Sequence, residues 1–345
     1  MQDFAFLDDD WVARNIDIGD GPRQTSLPRY HKHADPRSEF LFSFLGAKAP
    51  QYPNPDKGRI TYIDLFSGGG GLSLGVQSGL KSLGFSPRLL AAVDLDPLAL
   101  SLVSKRFRPL IKRAKKAEEL VSFAVDHSGN FEDFITNPSI TDPQIEQFKG
   151  KVSLLVGGPP CQGHSTLNNK TRGFDPRNLL YYVMPAFAVA LDVPVVIIEN
   201  VRNIAQAREN IVELSRKILI TNGYNVQDLT LNAADYGVAQ NRLRHFFFAY
   251  KGKEIDMRSQ VDTYKGNTLS FNDVNSGLPP LGFKSLLLES NPELSQQNVD
   301  RIEYLHQNDL YELPNAHRPD CHKDGHTYPS VYGRVRPDEP VGTIT

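Results

Sequence analysis

Residues 156–165 read VGGPPCQGHS and carry a cysteine at a position suited to chemistry. They follow the apolar run 152–156, whose composition indicates a buried parallel strand. Two glycines and two prolines then end the strand, so we expect Cys161 on a tight loop at the strand's carboxyl end. Open α/β sheets place their ligands at that edge. Cys161 is therefore a candidate nucleophile, although an isolated cysteine is more often an inert buried side chain.

Two further strand ends carry groups that could act on the same ligand. The apolar run 193–198 is followed by Glu199, which could be a general acid or a structural acid held by local hydrogen bonds. Arg242 and Arg244 alternate before the apolar run 245–250, so on a strand both guanidinium groups face one side. Paired arginines suit an anionic or carbonyl-bearing ligand, and surface arginines flanking a strand are the alternative.

A glycine turn and an acid predict a nucleotide-like ligand near the start of the patterned region. The strand predicted over 60–66 runs into FSGGGG and then into apolar residues at helical spacing. Such a turn aims backbone N–H groups at a ligand, although a plain tight turn is a fair alternative. After a second strand over 89–93, Asp94 stands where an acid commonly accepts hydrogen bonds from ribose hydroxyls. Asp96 suits the N-cap of the next helix.

Composition narrows the class of protein. The 345 residues are 40% apolar, without a run of about 18 apolar residues, so no membrane span is expected. Two cysteines make no disulfide framework, and a reducing cytosol fits best. The net charge of −2 gives no support for non-specific nucleic-acid binding. The basic stretch 105–116 could follow a phosphate backbone or form a solvated helix face. No metal is predicted, because the spacing of His317, Cys321, His322 and His326 is irregular.

The order of patterns predicts an α/β protein with a largely parallel sheet. Residues 59–250 form the patterned domain, within which residues 105–150 are hard to assign and Asp126 could end a third strand. Residues 1–58 are expected to be a mostly irregular N-terminal extension with one short helix near 39–45. Residues 251–345 are expected to hold loops and short helices, for example over 298–307.

Four stretches in order carry a family resemblance: DLFSGGGGLSLG, GGPPCQGHS, IIENV and YGVAQNRLRHFFFAY. With them the chain resembles the C5-cytosine DNA methyltransferases. The resemblance implies the Rossmann-like mixed sheet of class I S-adenosylmethionine-dependent methyltransferases, with helices on both faces and the start of a small irregular recognition region in 251–345. It implies S-adenosyl-L-methionine as cofactor, S-adenosyl-L-homocysteine as product, no metal, duplex DNA as partner, and a place in the cytoplasm away from membranes.

The same resemblance assigns roles to individual positions. Cys161 matches the nucleophile with Pro160 and Gln162 beside it, Glu199 matches the acid that binds the target base, and Arg242 and Arg244 match the base-side arginines. The loop 166–178 would close over a flipped-out base. The implied cofactor residues are Phe66, Gly68, Gly70, Asp94 and, with poorer spacing, Asp126.

The resemblance also leaves alternatives open. Two blocks usual near the end of the family, one like RLQGFP and one of the form GNxVxP, do not occur in this sequence. A truncated chain, a natural fragment or half of a split enzyme that needs a complementing C-terminal chain would each explain this, with weak cofactor binding or no activity alone. A tRNA cytosine-5 methyltransferase is the near alternative. An NAD-dependent oxidoreductase ranks far lower, because it gives no reason for PCQ, ENV and the paired arginines.

Overall fold

The fold is taken from a computed structural model. It describes residues 2–17, 19, 21–29, 34–45, 50–125, 135–160, 180–206, 211–275, 294–320, 323 and 333–343. In chain order the strands are β1 Gln2–Phe6, β2 Trp11–Asp17, β3 Pro22–Pro28, β4 Arg59–Leu65, β5 Ser86–Asp94, β6 Ile111–Ala114, β7 Val121–Val125, β8 Ile135–Ile140, β9 Leu154–Gly157, β10 Val195–Val201, β11 Asn225–Asn232 and β12 Leu243–Tyr250. The helices are α1 Pro36–Leu45, α2 Gly71–Ser82, α3 Pro97–Phe107, α4 Pro143–Glu146, α5 Val183–Ala190, α6 Ile211–Thr221, α7 Met257–Asp262, α8 Phe271–Asn275 and α9 Gln296–Gln307.

A seven-stranded sheet with the order β11-β12-β10-β9-β4-β5-β6 organises the chain. Strands β10, β9, β4, β5 and β6 are parallel, whereas β12 runs antiparallel to both β10 and β11. The carboxyl ends of β4, β5, β9 and β10 therefore share one edge with the start of β12. This arrangement confirms the predicted mixed, mostly parallel sheet.

Helices cover both faces of this sheet because its central strands are apolar on both sides. On one face Tyr62 and Leu89 pack with Val103 and Phe107 of α3, and apolar residues of α2 lie against them. On the other face the alternate strand residues pack against α5 and α6 in a larger core. Strand β9 is buried on both faces, which is why the run 152–156 is almost wholly apolar, whereas β10 is buried on one face and partly exposed on the other, with Val195 38% exposed.

The N-terminal segment is a correction to the sequence-based expectation. Strands β1, β2 and β3 form a three-stranded antiparallel sheet in that order, rather than an irregular extension. Val12, Leu27 and Phe40 make a small core between this sheet and α1, and α1 confirms the predicted short helix. The sheet was missed because its strands carry many polar residues, so their alternation is weak.

The stretch 105–150 holds further elements that the sequence did not show. The basic residues 105–116 are not one helix face, because they span the end of α3 and the edge strand β6. Arg113 of this stretch pairs with Asp142, so its charge is already partnered. Strands β7 and β8 pair with each other in a separate two-stranded sheet. Asp126, which the sequence suggested as the end of a third strand, lies outside the described residues.

The elements after β12 are short, as expected, and α9 covers the helix predicted over 298–307. Within the described ranges, no helix combines the length and apolarity that crossing a bilayer requires.

Gly157, the last residue of β9, gives a test of how tightly this sheet is packed. A Cβ there would lie 2.6 Å from Met184 Sδ and 2.7 Å from the Leu65 carbonyl oxygen. We expect Gly157→Ala to lower the free energy of unfolding by about 1–3 kcal/mol, because α5 and β4 must move. Urea denaturation measures the change. Gly75→Ala in α2 is the matched control: its Cβ would meet nothing within 4 Å, so it should be neutral or stabilising. Equal effects from the two would contradict the packing described here.

Candidate active site

The turn between β4 and α2 takes backbone conformations that bend the chain sharply. Phe66, Gly68 and Gly70 all have positive φ, at 56°, 49° and 88°. Positive φ is uncommon for a residue with a side chain, so the backbone at Phe66 is strained and the surrounding structure must stabilise it. At Gly70 a Cβ would lie 2.7 Å from the Phe107 ring, so the space allows only glycine. The turn delivers the first amides of α2 to the carboxyl edge of the sheet.

Asp94, at the end of β5, holds this turn in place. Its Oδ2 accepts a hydrogen bond from Gly68 N at 2.7 Å, and its Oδ1 accepts one from Asp96 N at 2.9 Å. An ionised carboxylate has about four acceptor positions, so two remain for a ligand. Asp96 has a separate task, as predicted: it caps α3 by accepting from Leu98 N at 2.8 Å, with Pro97 in the first turn. Asp94 therefore stabilises the glycine turn, and Asp96 caps α3.

Asp64 is a buried acid beneath the same turn that sequence reasoning did not single out. Its side chain is fully buried in β4, and Ser73 donates to its Oδ2 at 2.5 Å. Its Oδ1 has no hydrogen-bond partner among the described residues. Burial raises the pKa of Asp64 to about 7, with the nearby charge of Asp94 a smaller contribution in the same direction. The signal available in the sequence was an acid inside the apolar strand RITYIDL.

Glu199 and Arg244 meet at the same edge, on neighbouring strands. Arg244 lies opposite Val201 in the β10–β12 pairing, and Val201 shares a face with Glu199. Arg244 Nε is 3.0 Å from Glu199 Oε1, and both side chains are mostly buried. Glu199 was expected just after the strand, but β10 continues through it to Val201. Its carboxylate is thus held by the sheet rather than by a loop.

Arg242 and Arg244 place two positive charges near each other at the start of β12. The pKa of Arg244 is lowered, mainly by burial and also by the charge of Arg242. The carboxylate of Glu199 acts in the opposite direction. Arg242 lies one residue before β12, and its backbone N donates to Asn232 Oδ1 at 2.9 Å. Two neighbouring guanidinium groups, one of them paired with Glu199, suit an electron-rich or carbonyl-bearing ligand.

Asn200 ties the Glu199 strand to the turn that precedes Cys161. Its side chain is buried, donates from Nδ2 to the Pro159 carbonyl at 3.0 Å, and accepts from Val201 N at 2.8 Å. A Cβ on Gly158 would come within 3.2 Å of Glu199 Oε2, so the chain leading into Pro160 packs directly against that carboxylate. The sequence showed Asn200 only as part of IIENV, since its partners are fixed by tertiary structure.

Comparison with known proteins gives the family. The model of C-5 cytosine-specific DNA methylases matches residues 60–336. The chain belongs to this family. It is 37% identical over 287 residues to the type II methyltransferase M1.BsuMI of Bacillus subtilis and 30% identical over 274 residues to M1.HphI of Haemophilus parahaemolyticus. These matches cover 83% and 75% of this chain and 65% of each relative, so the chain spans just under two thirds of their length.

A solved structure shows the same fold. A prophage-encoded E. coli protein described as a DNA modification methyltransferase aligns with a TM-score of 0.52, 20% sequence identity and coverage of 82% of each chain. In this family member the turn of β4–α2, Asp94, Glu199, Arg242, Arg244 and Pro160 lie in the described part of the chain, and the roles assigned to them stay predictions. Cys161, Gln162, Asp126 and the loop 166–178 lie outside it.

The last described segment, 341–343, hydrogen-bonds to residues 239–241, which precede the two arginines. Asn241 N donates to the Val341 carbonyl at 2.7 Å, and Val341 N donates to the Ala239 carbonyl at 3.0 Å. Thr343 Oγ1 donates to the Asn241 carbonyl at 3.0 Å. Residues about 100 positions later in the sequence therefore hydrogen-bond to the segment just before Arg242. A local sequence pattern could not predict these contacts.

The predicted histidine and cysteine cluster is only partly described. His317 stacks on Tyr304 with ring centroids 3.8 Å apart, whereas Cys321, His322 and His326 lie outside the described residues. Among the residues that are described, no three His, Cys, Asp or Glu side chains are placed to hold a metal ion.

The raised pKa of Asp64 predicts how this methylase domain responds to pH. The folded state keeps its proton up to about pH 7, whereas the unfolded chain releases it near the ordinary aspartate pKa of about 3.9. The unfolded state therefore binds fewer protons between about pH 4 and 7, and stability falls as pH rises through that window. We expect Asp64→Asn, which resembles the protonated acid, to remove this fall and to be more stable than wild type at pH 8. Urea unfolding from pH 4.5 to 8 measures it.

The matched control is Asp3→Asn, at an exposed position of β1. It should leave the pH dependence of the wild type unchanged. A wild-type stability that is flat or rising from pH 5 to 7, relative to Asp64→Asn, would contradict the burial argument.

Proposed function

We propose that this chain carries the catalytic machinery of a methyltransferase that moves a methyl group from S-adenosyl-L-methionine to C5 of cytosine in duplex DNA. The observation that supports this most is the contact between Glu199 and Arg244 beside the Pro159–Pro160 turn. That turn follows β9, the strand next to β4 and its glycine turn. A base-binding acid, a carbonyl-binding arginine and a turn leading into a cysteine share one edge of the sheet.

The residues of the glycine turn fit the cofactor. Asp94 keeps two free acceptor positions for ribose hydroxyls, and the glycine turn leaves room for close approach of a ligand to the backbone. Phe66, Gly68 and Gly70 would line the same pocket, and Asp126 is a further candidate. When bound, the sulfonium of S-adenosyl-L-methionine supplies an electrophilic methyl group. The chemistry asks for no metal.

Cys161 would activate the base. Its thiolate adds to C6 of cytosine, and the electron pair displaced from the C5–C6 bond makes C5 nucleophilic. S-adenosyl-L-methionine, held by Asp94 and the glycine turn, would supply the methyl group to C5, and the electron pair of the broken S–CH₃ bond would stay on the sulfur of S-adenosyl-L-homocysteine. A base removes the C5 proton, and the electrons of that C–H bond restore the C5–C6 double bond as the thiolate leaves. The net products are 5-methylcytosine, S-adenosyl-L-homocysteine and a proton.

Glu199 and the arginines would control charge on the ring. Glu199 shares a proton with N3, so negative charge does not accumulate as Cys161 adds. Arg244 donates to the base carbonyl while its Nε holds Glu199 in position. Arg242 adds positive charge beside both. Pro160 and Gln162 flank the nucleophile and would fix its approach.

A base inside a duplex cannot be reached in this way, so the target cytosine would be flipped out of the stack. The loop 166–178 would close over it. A tRNA substrate is the alternative within the same chemistry, and a complementing C-terminal chain is a candidate partner for activity. The type II methyltransferase relatives favour DNA.

Cys161→Ala tests the nucleophile. We expect it to abolish transfer of radiolabelled methyl groups to duplex DNA while S-adenosyl-L-methionine still binds in calorimetry, because the thiolate acts only on the base. The matched control is Cys321→Ala, at the other cysteine of the chain, which should keep activity. Retained turnover in Cys161→Ala would overturn the mechanism. A wild-type chain that labels tRNA and leaves DNA unlabelled would overturn the substrate.

Asp94→Ala tests the cofactor site. We expect about tenfold weaker S-adenosyl-L-methionine binding, since both the ribose contacts and the tie to Gly68 are lost. Asp96→Ala is the control: it should lower the free energy of unfolding by about 1 kcal/mol through loss of the α3 cap and leave cofactor affinity unchanged. Equal affinity in the two variants would exclude Asp94 from the cofactor site.

A further inference from the structure

A cavity lies where the N-terminal sheet and α1 meet α2 and the turn after β11. Its volume is about 340 Å³, within the usual range for small-molecule sites. We propose that this cavity binds a small organic anion, a carboxylate or phosphate group carried on an apolar body, with Arg14 as the cation that receives it.

The polar end of the cavity is built by neighbouring strands. Arg14 of β2 and Thr25 of β3 are direct partners in the antiparallel register, so their side chains lie side by side on one face. Both line the cavity. Thr25 is 2% exposed, and among the described residues neither its hydroxyl oxygen nor Arg14 Nε has a hydrogen-bond partner.

Tyr236 stands on another wall of the cavity, where the charges of Lys265, Asp262, Asp235 and Arg258 act on its hydroxyl, so that hydroxyl has charged neighbours of its own. Leaving a buried polar group unpaired costs about 1–3 kcal/mol, so the unpartnered groups of Arg14 and Thr25 at one end of the cavity favour a polar ligand. Burial also lowers the pKa of Arg14, which is the effect expected of a guanidinium without a carboxylate beside it.

The charge and the walls define the class of ligand. Arg14 is the one charged side chain among the described residues that line the cavity. Glu39, the buried acid of α1, is not part of the lining and accepts a hydrogen bond from Ser43. The remaining walls include Phe40, Phe44 and Tyr52, so the body of the ligand meets apolar and aromatic surface. One anionic group on an aromatic or aliphatic body matches this lining.

This cavity is separate from the site proposed for methyl transfer. Its described walls include neither the glycine turn nor Glu199, Arg242 or Arg244. The inference therefore stands without the proposed function, and its test reads binding rather than activity.

Calorimetry with matched pairs of probes tests the proposal. Benzoate and phenyl phosphate carry the anion on a phenyl ring, and benzamide and phenol are their neutral counterparts. We expect at least one anion to bind the wild-type chain more tightly than its neutral counterpart, and the preferred head group separates carboxylate from phosphate. Arg14→Met keeps the side-chain stem and should weaken anion binding by about tenfold or more. Arg59→Met, at an exposed arginine of β4, should leave it unchanged.

Stability and a second variant separate ligand binding from a structural role. Without anion, Arg14→Met and Thr25→Val should unfold at temperatures no lower than wild type, because each removes a buried group that lacks a partner. Thr25→Val should also weaken anion binding, and it provides the test if Arg14→Met does not fold. Anions that bind no better than their neutral counterparts, or an affinity unchanged in both variants, would overturn the proposal.

Discussion

The reversed direction of β12 is the constraint on which the candidate active site depends. Arg244 reaches Glu199 because β12 begins at the edge where β10 ends. A parallel β12 would carry its first residues to the opposite edge, about 20 Å away for a strand of this length. One antiparallel strand in a parallel sheet therefore brings residues from separate parts of the sequence to the turn that precedes Cys161. The buried amide of Asn200 then fixes that turn to β10.

The carboxyl edge also concentrates features that cost stability. Phe66 is held at positive φ, and Asp64 is buried with one unpaired oxygen. Each lies at or directly beneath the turn proposed to receive the cofactor. The apolar core on both faces of β4 and β9 offsets these costs and keeps the turn in one conformation. Strain of this kind is typical of positions kept for ligand binding.

The parts of the fold that sequence predicted are those with a strong local pattern. The central strands were readable because they are continuous apolar runs next to turn residues, and the cap of α3 was readable from Asp96 and Pro97. Strand β6 was missed because an edge strand with the sequence IKRA is partly solvated and charged. Asn200 and Asp64 were missed because their partners are set by tertiary packing. Predicting the contact between Glu199 and Arg244 requires both the family motifs and the order of strands in the sheet.

The N-terminal region packs against two elements that lead to the candidate active site, namely α2 and the turn after β11. Leu41 of α1 packs so closely on Gly237 that a Cβ there would come within 2.9 Å, and the backbone before β4 hydrogen-bonds to Gly84 after α2. Gly237 lies in the turn before the arginines, whereas α2 begins at the glycine turn proposed to receive the cofactor. Packing and backbone hydrogen bonds therefore link both elements to the N-terminal region. The cavity around Arg14 lies between the N-terminal region and these two elements, so any occupant would contact α2 and the turn at Tyr236 together.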